Sequence, residues 1–137
     1  MQNIILNIYF DGGSLGNPGK GYGSFEISDD ESNLIELKNK IEFGNNLTCN
    51  QAEYLALIKA LEKIIIIAEN KKEILEKIKL NIFGDSKLVV MQVKRKWKVK
   101  NKNMIDLFYK TTDLLRNFNS YDISWYSRNN NLIRFGH

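Results

Sequence analysis

The run Tyr9-Phe10-Asp11-Gly12-Gly13-Ser14-Leu15-Gly16-Asn17-Pro18-Gly19 constrains this chain more than any other stretch. An apolar alternating segment ends in a carboxylate and passes at once into glycine: six of the nine glycines and the only proline lie between Gly12 and Gly23. Such a segment reads as turn rather than as strand or helix. Glycine has no Cβ to block positive φ and lets backbone N–H groups come close to a ligand. Beside an aspartate, the stretch is therefore either an anion-facing loop or an ordinary hairpin turn with Asp11 as a turn residue.

The rest of the chain narrows the setting. Its 137 residues suit a single domain spanning 1–137, large enough to enclose a core. With 43% hydrophobic and 26% charged residues it falls outside the disordered class. The amino terminus has no basic flank before an apolar core, and no apolar run approaches the roughly 20 residues of a membrane span. We expect a cytoplasmic monomer without membrane contact. One cysteine, Cys49, and one histidine are too few for an internal disulfide or a structural zinc site.

Net charge is +4, but its distribution is uneven. Lys87 to Lys102 holds seven basic residues and no acidic one, leaving 13 basic against 16 acidic residues elsewhere. The basicity thus sits in one segment, interrupted by Trp97. That pattern fits a solvated face or, given the embedded aromatic, contact with a polyanion carrying bases or sugars.

Periodicity supplies the element order. Ile4 to Phe10, Tyr22 to Ser28 and Leu34 to Phe43 read as three strands of an antiparallel meander, ended by Gly44-Asn45-Asn46. Thr48 and Gln51 have the spacing of a capping box opening a helix over Ala52 to Ala68. That helix should bury its last turn, Ile64 to Ile67, and carry Glu53 in its first turn, where the helix dipole favours a carboxylate. Glu69 to Lys77 is a charged connector. Ile78 to Phe83 is a fourth strand ending at Gly84-Asp85-Ser86, Leu88 to Val93 a short helix, Met104 to Phe118 a longer one, and Tyr121 to Tyr126 a fifth strand. A strand following a helix after a meander implies a mixed sheet, with strands four and five parallel to strand one.

If strands one and four are adjacent and parallel, Asp11 and Asp85 meet at the edge where open α/β sheets place ligands, with Glu53 close by. Carboxylates so gathered repel one another unless a cation intervenes. Oxygen ligands without cysteine or histidine suit Mg²⁺ or Mn²⁺, and a pair of such ions can activate water and stabilise a leaving oxygen in phosphodiester hydrolysis.

Asp11-Gly12-Gly13-Ser14 with Gly16-Asn17-Pro18-Gly19, Thr48-Cys49-Asn50-Gln51-Ala52-Glu53, Gly84-Asp85-Ser86 and Trp97-Lys98-Val99-Lys100-Asn101 resemble, in order, the successive motifs of type 1 ribonuclease H. The resemblance implies a ribonuclease H-like α/β fold: a five-stranded mixed sheet, three strands antiparallel and two parallel, flanked by helices. It implies metal-dependent endonucleolytic cutting of the RNA strand of an RNA–DNA hybrid, leaving 5′-phosphate and 3′-hydroxyl ends. Asp11, Glu53 and Asp85 would be both the catalytic residues and the ligands of two Mg²⁺ ions, with Mn²⁺ able to substitute. Gly12, Gly13, Asn17, Asn50 and Gln51 would face the RNA, where 2′-hydroxyls are read in a shallow minor groove. Thr48 and Asn101 would hold a DNA phosphate and Trp97 the DNA sugars, with Ser86, Lys98 and Lys100 completing the nucleic-acid surface.

The departures are as informative. Cys49 stands where the family usually has asparagine. Arg128 and Asn131 match the family's Arg-x-x-Asn, but its fourth metal-site aspartate is replaced by Phe135, and no acid follows Asp122. The last helix of the family is short or absent. His137 is open to three readings: a ligand, a proton shuttle or a loose end. Three functions stay open: an active hybrid nuclease, a catalytically weak or inactive hybrid- or duplex-binding module, and a domain cut from a reverse transcriptase polyprotein, suggested by the abrupt end.

Overall fold

The computed structural model describes residues 3–137. Its strands are β1 (Ile4–Gly16), β2 (Gly19–Asp29), β3 (Leu34–Leu47), β4 (Ile78–Gly84) and β5 (Ser120–Trp125). Its helices are α1 (Cys49–Asn70), α2 (Lys87–Val93), α3 (Lys102–Leu115) and α4 (Arg128–Phe135), and a 3-10 turn at Leu75–Lys77 leads into β4. The sheet order is β3-β2-β1-β4-β5, antiparallel from β3 to β1 and parallel from β1 to β5, as the element order predicts. Among the described residues, no helix is long and apolar enough to cross a membrane.

Alternation along β1 divides its side chains between two faces. Ile8 and Phe10 are fully buried, in one core with Leu57, Leu61 and Ile64 of α1 and Leu80 and Ile82 of β4. Tyr9 lies on the other face, stacked on Phe83 at 5.2 Å between centroids, with Tyr126 beyond. The helix α4 closes that second face: Arg134 lies 3.6 Å over the Tyr9 ring and bonds Glu26. The buried Asn131 donates to the Phe10 carbonyl.

The glycine-rich stretch is strand, not loop. β1 runs through Gly12 and Gly13 to Gly16 and pairs with Gly19 to Gly23 of β2, so the turn is only Asn17-Pro18, joined by a cis peptide. The reason is close approach. A Cβ at Gly12 would lie 2.3 Å from the Ala52 carbonyl carbon, and one at Gly23 would lie 2.5 Å from the Phe43 ring. Glycine within a strand marks such a contact as readily as it marks a turn. Likewise β3 does not end before Gly44-Asn45-Asn46 but bulges through it, with Gly44 and Asn46 at φ 113° and 60°.

The helix α1 starts at Cys49 under the expected box: Thr48 Oγ1 accepts from Gln51 N–H (3.2 Å) and Gln51 Oε1 from Thr48 N–H (2.8 Å). Two expectations about this helix fail. Glu53 is its fifth residue and sits past the first turn, buried, so the helix dipole is not what places it. The last turn is only half covered. Ile64 is buried but Ile66 is 49% exposed, because the sheet lies against one side of the helix only.

Candidate active site

The parallel pairing of β1 with β4 ends with Phe10 opposite Gly84, so the next residues, Asp11 within β1 and Asp85 just past β4, lie side by side. Glu53 arrives from the second turn of α1, which can approach because Gly12 has no side chain. One ligand oxygen from each of Asp11, Glu53 and Asp85 lies within 4.8 Å of the others. These three line a cavity of about 230 Å³ with Gly12, Gly13, Asn50 and Ser86, and with Cys49, Arg128 and His137.

Burial governs the electrostatics. Glu53 Oε1 accepts from Gly12 N–H at 2.8 Å, whereas Oε2 is enclosed and receives no donor; the Asp11 carboxyl is the neighbouring acid. Burial, then the charge of Asp11 and that of Asp85, hold the Glu53 carboxyl well above its ordinary value. Burial also pushes Asp11 up to about 6; Asp85 adds to the rise, and the bond with Glu53, the Arg128 cation and Gly12 N–H restrain it. Two buried carboxylates face to face are stable only if they share a proton or a cation. The orphaned Oε2 and the all-oxygen donor set therefore fit a hard divalent ion.

The other predicted residues fall into three groups. Gly12, Gly13, Asn50 and Ser86 share the cavity, Ser86 also capping α2 through Val89 N–H (3.3 Å). Asn17, Thr48 and Gln51 surround the start of α1, where Asn17 Oδ1 accepts from Cys49 N–H at 3.1 Å. Trp97 and Lys98 lie elsewhere, in a groove with Arg95, Phe108 and Tyr109. Lys100 and Asn101 are exposed at the start of α3, which Asn101 caps through Asn103 N–H (2.8 Å).

His137 is not a loose end. Its ring is enclosed, with Nδ1 3.0 Å from Asp11 Oδ2 and Nε2 2.5 Å from Ser24 Oγ. Burial, then Lys40 and Arg128, hold its imidazole below the ordinary value. Arg128 enters the cavity because β5 is parallel to β4, so that the start of α4 emerges at the same sheet edge, a signal available from the element order. Ser24 stands opposite Asp11 across β1–β2, a pairing no local pattern announces. Phe135, where the resemblance places a fourth carboxylate, has a buried and apolar side chain.

Over residues 9–133 the chain matches the family described as reverse transcriptase-like. It is 34% identical over 123 residues to the bifunctional protein Rv2228c of Mycobacterium tuberculosis, covering 88% of this chain and 31% of that protein, less than a third of its length. It is 32% identical over 127 residues to ribonuclease HI of Halobacterium salinarum, covering 92% of this chain and 58% of that one. Among solved structures it superposes on an RNase H1 isolated from compost by a metagenomic approach and crystallised with an RNA/DNA hybrid. The TM-score is 0.82 at 28% identity, over 92% of this chain and 88% of that chain.

Proposed function

This chain belongs to the reverse transcriptase-like, ribonuclease H family, and from that premise we propose that it is a divalent-metal-dependent endoribonuclease acting on the RNA strand of RNA–DNA hybrids. The observation that carries the reading is the cluster of Asp11, Glu53 and Asp85, with the buried Glu53 Oε2 left without a donor. Asp11, Glu53 and Asp85 would hold Mg²⁺ or Mn²⁺, which supplies charge neutralisation, an activated water and stabilisation of the leaving oxygen, so that products carry 5′-phosphate and 3′-hydroxyl ends.

The chain's own groups do the rest. Gly12 N–H fixes Glu53 Oε1, so that carboxylate is oriented before any cation arrives. Gly12 and Gly13 present backbone at the cavity and Asn17, Asn50 and Gln51 offer amides beside it, a surface suited to an RNA backbone. Arg128 adds a cation at the rim, suited to the scissile phosphate. The groove of Trp97, Arg95 and Lys98 supplies charge and an aromatic face for the DNA strand, with Lys100, Asn101 and Thr48 as further phosphate contacts.

The burial of Phe135 favours a second reading, a hybrid-binding module with weak or no catalysis. A cleavage assay separates them. Purified chain is incubated with labelled hybrid, double-stranded RNA or double-stranded DNA in Mg²⁺, Mn²⁺ or chelator. Cutting of hybrid alone, dependent on metal, supports the enzyme; tight hybrid binding with no cutting in either metal supports the module.

A further inference from the structure

The family's fourth metal-site carboxylate has no counterpart here, yet the space beside Asp11 is filled by a polar group. The helix α4 turns Phe135 into the core, 3% exposed, and stops at Gly136. Gly136 takes the left-handed conformation (φ 77°), and its N–H closes the helix on Leu132 O at 3.0 Å. A residue with Cβ would be strained there. The turn it allows sends the next side chain back over the sheet edge.

His137 arrives with its ring held on three sides. It stacks on Phe135 at 6.0 Å between centroids and meets the Tyr22 ring edge-on at 5.1 Å. Its Nε2 rests on Ser24 Oγ, which is itself fixed by Lys40 N–H (2.9 Å) and by Asn39 Oδ1 (2.8 Å). Asn39 in turn donates to the Phe135 carbonyl at 3.1 Å, tying the anchor back to α4. Ser24 has one hydroxyl proton for two neighbouring acceptors, Asn39 Oδ1 and Nε2; given to Nε2, it leaves the neutral ring with its own proton on Nδ1. The other nitrogen, Nδ1, faces Asp11 Oδ2 at 3.0 Å.

We propose that His137 is a positioning residue for the metal site: it donates from Nδ1 to Asp11 Oδ2, fixes the plane of that carboxylate and leaves the other oxygen to the cation. The inference rests on the metal-dependent reading above. It acts through Asp11 and not as a ligand, since the oxygens that can share one ion are those of Asp11, Glu53 and Asp85, and both ring nitrogens are already engaged. Hydrogen bonds from an outer group that orient a liganding side chain commonly contribute a factor of about 10–100 in metal affinity.

The test is direct titration of the full chain with Mn²⁺, following free ion by electron paramagnetic resonance, alongside thermal unfolding in chelator. His137→Ala should weaken binding by about 10–100-fold. His137→Asn keeps an N–H donor near the place of Nδ1 and should recover most of that loss. Ser24→Ala leaves the imidazole but frees its far nitrogen, and should weaken binding less than His137→Ala. Wild-type affinity in His137→Ala, or a folded His137→Asn as weak as the alanine variant, overturns the proposal. If His137→Ala does not fold, Ser24→Ala and His137→Asn decide: unchanged affinity in Ser24→Ala overturns it, and weakened binding there with near wild-type binding in His137→Asn supports it. A wild-type chain that takes up no Mn²⁺ overturns instead the metal reading on which it rests.

Discussion

Replacing Gly12 with alanine adds one methyl group at the tightest point between sheet and helix. That carbon would stand 2.3 Å from the Ala52 carbonyl carbon, 2.4 Å from the Glu53 nitrogen and 2.5 Å from the Ala52 oxygen. All three are backbone atoms, so no rotamer change relieves the clash. Restoring an ordinary separation of about 3.5 Å requires β1 and α1 to part by roughly an ångström. Overpacking of this kind costs about 1–3 kcal/mol. The movement also breaks the 2.8 Å bond from Gly12 N–H to Glu53 Oε1, and a bond to a charged group contributes about 1.5–3 kcal/mol. Together the loss is roughly 3–6 kcal/mol, out of a typical total of about 5–15. For a chain of this size that lowers Tm by roughly 10–20 °C. Thermal unfolding followed by circular dichroism in chelator measures it. A Gly12→Ala protein melting within about 2 °C of wild type would refute the packing account, because the helix could then not be seated against that backbone.

Two further outcomes come from the charges. Without divalent ions, stability should fall as pH rises from about 4 to 6: Asp11 has a folded value of about 6 against an ordinary 3.8, so across that window the folded chain binds more protons than the unfolded one. The loss is about 3 kcal/mol, extended upward by Glu53 and opposed near pH 6 by His137, whose value is displaced the other way. Melting in chelator across pH 4–8 should show the decline, and Mg²⁺ or Mn²⁺ should remove it; a flat profile in chelator contradicts the buried-carboxylate account. Lys98→Ala or Lys100→Ala should each reduce the slope of log affinity for hybrid against log salt by about one, as measured by fluorescence anisotropy, and an unchanged slope would assign these lysines to a solvated face.

Much of this site is legible in the sequence because its parts are local. An apolar alternating run leading into Asp11, another leading into Asp85 and a capping box at Thr48 and Gln51 each announce themselves within a few residues. The parallel crossover then brings the two aspartates to one edge. What escaped depends on distant partners. Gly12, Gly21 and Gly23 look like turn residues along the chain, yet what they accommodate is Ala52, Leu47 and Phe43, remote in sequence. A propensity argument puts Glu53 in the first turn, whereas its burial against Gly12 and Asp11 sets its position. His137 meets Ser24 across 113 residues, a contact with no periodic signature.

The central claim is that Asp11, with Glu53 and Asp85, makes this chain a metal-dependent nuclease for hybrids. The most direct measurement compares wild type and Asp11→Asn on a hybrid labelled separately on each strand, with Mg²⁺, Mn²⁺ or chelator. We expect wild type to cut the RNA strand alone and only with metal, and the variant to be inactive although folded and at least as stable in chelator. Undiminished cutting by Asp11→Asn, or cutting by wild type in chelator, would contradict the account.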